Sequence, residues 1–291
     1  MDILVAKKMK KYKKIGLALG GGGARGFALI GAIRAFEEEG IHFDCIAGTS
    51  IGSVIGALFD YGITSEEMVN LAKKLKIRDI RKSMIPLVPS STDGIENTIK
   101  GIIGDINFED LPLPFYAVAV DMKTGNEVDI HKGNLAKALA GSCAVPTVFN
   151  AVKFDDKLLF DGGLQNTIPA DVLRKNGCDA VVSIDINSTR GNGTNSSKYL
   201  DLLFASIKIM MKSNAIKGYL NSDIIIKPNL KRFNASKMTG MMEMIEEGYI
   251  ATKSKMSEIR ELFKHKKKKR VFLFFKKRRN GKEKSNWKKK S

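Results

Sequence analysis

Four consecutive glycines, Gly20 to Gly23, separate the apolar run Ile15–Leu19 from a stretch of helical spacing that reaches Gly40. A strand and a helix must therefore meet there through bare backbone. Such a backbone can approach an anion closely, and the helix N-terminus behind it adds positive potential. The anion can be a stored phosphate, a dinucleotide or the transient oxyanion of an ester under attack. "GGGARG" (21–26) matches G-x-G-x-x-G, but a dinucleotide site also wants an acid at the end of the second strand. Asp44 stands at the start of the run Phe43–Ala47, and no G-K-[ST] is present, which excludes a P-loop. A lysine cluster precedes the run, as in a signal peptide, yet glycines and Arg25 interrupt it and no A-x-A site follows. In a membrane helix Arg25 would cost roughly 2.5–3.5 kcal/mol.

"GTSIG" (48–52) is a G-x-S-x-G motif between the strand Phe43–Ala47 and the helix Ile51–Tyr61, the context of a nucleophile elbow. Gly48 and Gly52 leave room for a sharp turn that presents Ser50 at a helix N-terminus. A base for Ser50 is not found among the three histidines. His42 sits in a turn, His131 ends a strand without a candidate acid before it, and His265 lies among lysines. Asp161, in "DGGLQNTIP" (161–169), ends a strand and is followed by Gly162 and Gly163. A carboxylate held against a serine hydroxyl can serve as the base without an imidazole.

Further along, Ser65 is a plausible N-cap of the helix Thr64–Leu75, and the pattern loosens from Arg78 to Pro114. Phe115–Val120 pairs with Val128–Ile130, and Val152–Phe154 forms a hairpin with Leu158–Phe160 around Asp155 and Asp156. Leu135–Ser142 and Ala170–Lys175 read as helices, Ala180–Ile184 and Ile224–Ile226 as strands, and Leu200–Lys217 and Thr239–Phe263 as long helices. Apolar strands alternating with helices predict a three-layer α/β/α sandwich with a mainly parallel central sheet. Cys45, Cys143 and Cys178 are far apart and in no C-x-x-C pair, so they are expected as separate buried thiols in a reducing compartment. The methionines at 238, 241, 242 and 244 are expected to fill the core.

The net charge of +18 belongs to the ends. Residues 264–291 carry 15 Lys/Arg against Glu283, and residues 1–14 carry six Lys against Asp2. The segment 15–263 is nearly neutral and forms the expected catalytic domain. In the C-terminal tail, Val271–Phe275 stands between basic blocks, with Trp287 beyond. Five apolar residues cannot span a bilayer, but they can insert shallowly while lysines meet anionic headgroups, each worth about 1 kcal/mol.

In order and spacing, GGGARG, GTSIG and DGG without a catalytic histidine resemble the patatin-like phospholipase family, in particular its bacterial serine acyl hydrolases. The resemblance covers about residues 15 to 250. It includes "AGSCAVPTVFNAV" through "FDGGLQNTIPADVLRKNGCDAVVSIDI", with Thr167 where many relatives have proline. It implies a lipid acyl hydrolase of phospholipase A or lysophospholipase type, with Ser50 as nucleophile and Asp161 as base. Gly21, Gly22 and Gly23 would supply oxyanion N–H groups, Arg25 and Gly26 would shape that loop, and no cofactor or metal is implied. The expected partners are a phospholipid ester and, through the tail, an anionic membrane surface, with no specific nucleic acid. The expected location is cytoplasmic, peripheral at the inner membrane face. The alternatives on the same fold are a non-specific carboxylesterase and a catalytically idle lipid-binding protein.

Overall fold

The computed structural model describes residues 12–75, 89–187 and most of 202–266. The strands are β1 (Ile15–Leu19), β2 (Cys45–Thr49), β3 (Phe115–Asp121), β4 (Asn126–Ile130), β5 (Val152–Phe154), β6 (Lys157–Asp161), β7 (Ala180–Ile184) and β8 (Ile224–Ile226). They form one sheet in the order β5-β6-β3-β2-β1-β7-β8, with β4 also on β3. The run from β3 to β8 is parallel, and the β4, β5 and β6 pairings are antiparallel. Every residue of β1, β2 and β7 is buried, as both faces of a parallel sheet require.

Alternate side chains enter two cores. Ile15, Leu17 and Leu19 of β1 join Ile46, Val182 and Ile184 beneath α1 (Phe27–Glu38) and α2 (Ile51–Tyr61). On the other face, Ala18, Ala47 and Val181 meet residues of α6 (Ala170–Lys175) and α7 (Ala215–Leu220). This is the predicted sandwich. The helix between them in sequence is α3 (Ser65–Lys74), capped by Thr64 rather than Ser65; Thr64 accepts from Glu67 N–H and forms a capping box with it. The loosened region after Arg78 contains a full helix, α4 (Asp93–Ile103), which buries Ile95, Ile99 and Ile103. Gly94 and Gly101 within it hide this periodicity in the sequence. α5 (Leu135–Ser142) lies in the larger core.

The expected last helix is two, α8 (Met241–Ser254) and α9 (Met256–Lys264), broken at Lys255 with φ −98° and ψ 0°. α8 packs backbone to backbone on α1: a Cβ on Gly31 would lie 1.8 Å from Ile245 O, and one on Gly248 would lie 1.8 Å from Ala28 O. Of its methionines, Met244 is fully buried, whereas Met242 is exposed, so core filling holds for one and fails for the other. Described residues between 202 and 213 are helical, while residues 1–11 of the basic N-terminal segment, the loop 188–197 and the aromatic tail beyond 266 lie outside the described residues.

The expectation of three separate thiols is corrected. Cys45 and Cys178 form a disulfide with Cα atoms 7.6 Å apart, and Cys143 is free. β2 and β7 flank β1, and Gly16 of β1 has no side chain to keep the sulfurs apart. A Cβ there would lie 3.0 Å from Cys178 Sγ and 3.3 Å from Cys45 Sγ.

Gly31→Ala is expected to destabilise the protein by about 3 kcal/mol, the upper range for overpacking, in equilibrium urea unfolding. Asp60, at the end of α2, is buried with one oxygen accepting from Leu113 N–H and the other without a partner among the described residues. Burial pushes its carboxyl up to about 7. The folded protein thus holds a proton that the unfolded chain releases, and stability falls as pH rises from the ordinary carboxylate range to about 7. Asp60→Asn is expected to flatten this dependence, raising Tm at pH 8 relative to wild type and much less at pH 4.

Candidate active site

The site is built on one edge of β3. β4 occupies the other edge, pairing with Ala117 to Asp121. On the remaining edge β2 pairs with residues up to Val118, opposite Thr49, and β6 takes over at Ala119, opposite Asp161. Two strands distant in sequence therefore meet end to end, and Ser50 and Asp161 fall at the join.

Ser50 follows β2 with φ 53° and ψ −131°, a conformation that few L-residues adopt. The turn is this tight because its neighbours are bare. A Cβ on Gly48 would lie 2.5 Å from Gly52 O, and one on Gly52 would lie 2.2 Å from Leu19 O. Ser50 is 6% exposed at the N-terminus of α2. Its own N–H donates to Ser142 Oγ at 2.9 Å, and Ser142 donates onward to Val118 O at 2.6 Å.

Asp161 is fully buried. Its Oδ1 accepts from Gly163 N–H at 2.8 Å, while Oδ2 makes no hydrogen bond of ordinary length among the described residues. Burial pushes the carboxyl up to about 6, and the nearby Ser50 hydroxyl and the Gly163 N–H restrain that rise. Gly162 is needed for contact with β3, since a Cβ there would lie 2.3 Å from Val118 O. The loop beyond is tied to both other motifs. Thr49 Oγ1 donates to Asn166 O at 2.8 Å, and Gly21 N–H donates to Thr167 O at 3.0 Å. Thr167, the residue that departs from proline, uses its hydroxyl to hold Met211 O.

Gly21 lies directly against Ser50, with a hypothetical Cβ 3.2 Å from Ser50 Cβ. Its N–H is spent on Thr167, which corrects the expectation that Gly21, Gly22 and Gly23 are all available as donors. The N–H groups of Gly22 and Gly23, and those of Ile51 and Gly52 at the start of α2, have no acceptor among the described residues. Arg25 is buried and turned away from an anion-binding role. Its Nε and Nη2 donate to Phe233 O at 3.1 and 3.0 Å, and Nη1 donates to Asn187 Oδ1 at 3.1 Å. Ala24 N–H reaches Ala235 O at 2.8 Å, so the late segment 233–235 clamps the glycine loop. Gly26 packs on Ile51, where a Cβ would lie 2.3 Å from Cγ1.

None of the histidines shares a hydrogen bond with Ser50 or Asp161 among the described residues; His131 meets Asp129 O and His265 meets Glu261. Sequence reasoning missed Ser142, whose neighbour Cys143 also borders the site. Burial, followed by the Asp161 charge, pushes the Cys143 thiol up, so it is held neutral. The helix Leu135–Ser142 ends on a small polar residue, but nothing in its sequence says that the hydroxyl reaches Ser50 N–H and Val118 O. An open cleft of about 490 Å³ lies along β4, lined by Asp121, Glu127, Asp129 and His131 among others, and does not include Ser50 or Asp161. The described residues contain no cluster of metal-ligating side chains, and none of their helices is long and apolar enough to cross a membrane.

This chain is 35% identical over 204 residues to human patatin-like phospholipase domain-containing protein 6, covering 65% of this chain and 14% of that protein. An uncharacterised NTE family protein of Mycobacterium tuberculosis is 33% identical over 180 residues, 60% of this chain and 50% of the relative. The chain thus spans about half the length of that mycobacterial relative. In structure it resembles VipD from Legionella pneumophila, with a TM-score of 0.53 at 14% identity, covering 88% of this chain and 67% of that one; this likeness concerns the fold alone. Residues 17–174 match the family model "Patatin-like phospholipase", more than half of the chain and all three motifs, so the chain belongs to the patatin-like phospholipase family.

Proposed function

We infer that this protein is a serine lipid acyl hydrolase that cleaves carboxylic esters of phospholipids through Ser50 and Asp161. The observation that carries this reading is the end-to-end meeting of β2 and β6, which brings a strained serine beside a buried carboxylate whose Oδ2 makes no hydrogen bond of ordinary length among the described residues. Asp161 takes the Ser50 proton as Oγ attacks the ester carbonyl. The resulting oxyanion is received by Gly22 and Gly23 N–H, supplemented by Ile51 at the helix N-terminus, where each donor is typically worth about 2.7–4 kcal/mol. The proton passes to the departing alcohol, leaving an acyl-serine. Asp161 then deprotonates water, whose attack releases the fatty acid and returns the proton to Ser50. The basic tail 264–291 would hold the chain at an anionic surface.

Fatty-acid release from anionic phospholipid vesicles tests the reading. Ser50→Ala and Asp161→Asn are each expected to lower the rate by about 1,000-fold or more while leaving thermal melting cooperative. Release by both variants at the wild-type rate would remove the dyad. Wild-type cleavage of a p-nitrophenyl ester without cleavage of vesicles would favour a non-specific carboxylesterase, and cleavage of neither would favour a lipid-binding protein.

The base acts only when ionised. With Asp161 raised to about 6, kcat/KM should climb with pH and level off above about 6. A profile flat from pH 4.5 to 8 would contradict this role.

A further inference from the structure

Ser142 sits where the β2–β3 ladder stops. Thr49 is the last residue of β2 in register, opposite Val118, and the next N–H of the chain is that of Ser50. If β2 continued, that N–H would lie beside the β3 edge. The elbow turns the chain away instead, and a buried N–H and a buried carbonyl are left facing a gap. The Ser142 hydroxyl fills it, accepting from Ser50 N–H at 2.9 Å and donating to Val118 O at 2.6 Å. One side-chain hydroxyl thus replaces a ladder hydrogen bond, at a position with no solvent exposure to supply a water.

The contact also fixes the peptide plane that leads into the turn. The Ser50 N–H lies in that plane, and Ser50 departs from it with φ 53° without glycine's freedom, so the plane is the base from which the strained turn starts. The Gly162 backbone packs closely on the same carbonyl, since a Cβ there would lie 2.3 Å from Val118 O. Resting on the reading of Ser50 as nucleophile, we propose that Ser142 is a positioning residue that holds the elbow, and hence the Ser50 hydroxyl, in its attacking conformation. It touches neither substrate nor the transferred proton.

The test is the second-order rate at which an alkyl fluorophosphonate labels Ser50, with the modified residue identified by peptide mass mapping. Full-length wild type, Ser142→Ala and Ala136→Gly are compared, and Tm is recorded for each. Ala136→Gly lies six positions earlier on the same helix and lowers stability through helix propensity, by about 1 kcal/mol. Ser142→Ala is expected to slow labelling by about 10- to 100-fold, as a displacement of the reacting atom does. Ala136→Gly should label at the wild-type rate. The same split should appear in kcat for a soluble ester, with KM nearly unchanged, and Ser142→Thr should recover part of the rate because it keeps the hydroxyl. Labelling of Ser142→Ala at the wild-type rate, or slowing equal to that of Ala136→Gly, would overturn the proposal. Wild type that reacts with the probe elsewhere than at Ser50 would overturn the nucleophile assignment itself.

Discussion

Every buried backbone group on the β3 edge must find a partner, and the chemistry of this protein follows from how that demand is met. No single strand can do it, because β2 must leave the sheet for Ser50 to turn toward open space. β6 arrives from the opposite direction to complete the edge, and it ends on Asp161. A hydroxyl and a carboxylate are thereby delivered to the same point by backbone pairing, before any side-chain interaction is considered. The glycines follow from the same geometry. Gly48, Gly52 and Gly162 each stand where backbone passes within a distance no side chain allows.

Two buried carboxylates show one cause raising a pKa and different partners restraining it. Asp60 and Asp161 are both raised above the ordinary range by burial. Asp60 has one backbone donor and is pushed to about 7. Asp161 has a backbone donor and the Ser50 hydroxyl, and is pushed only to about 6. In both, desolvation is the larger effect and hydrogen bonding the smaller. In the proposed mechanism Asp161 accepts a proton, and the Ser50 hydroxyl and Gly163 N–H favour the ionised form that this requires.

Much of this was legible in the residues. The apolar runs at 15–19 and 180–184 can only be interior strands, and G-x-S-x-G followed by an amphipathic stretch marks a turn that lifts a serine. Without a suitable histidine, Asp161 stood as one candidate base in a common Asp-Gly turn, and only the family resemblance singled it out. What the sequence concealed was contact across the sheet. Nothing in "CIAG" and "NGCD" says that two sulfurs meet over Gly16, because that depends on which strands flank β1. Gly21, Gly22 and Gly23 look equivalent as a string, and only the position of Thr167 O separates the first from the others. Helix α4 was hidden by two glycines, and the break at Lys255 has no Pro or Gly to announce it. Ser142 was invisible because its partners are backbone atoms of two other elements.

The clamp on the glycine loop bears on the order in which the molecule is made. The match to the family ends at residue 174, yet Arg25 and Ala24 are held by Phe233 and Ala235. A chain emerging from the ribosome has its serine, its carboxylate and most of its sheet long before that clamp can close. β8, the clamping segment and α8 follow, and α8 then seats Gly248 against α1. The loop assigned to the oxyanion is therefore among the final parts to be secured. A nascent or truncated chain can hold Ser50 and Asp161 and still lack the clamp that fixes the glycine loop beside them.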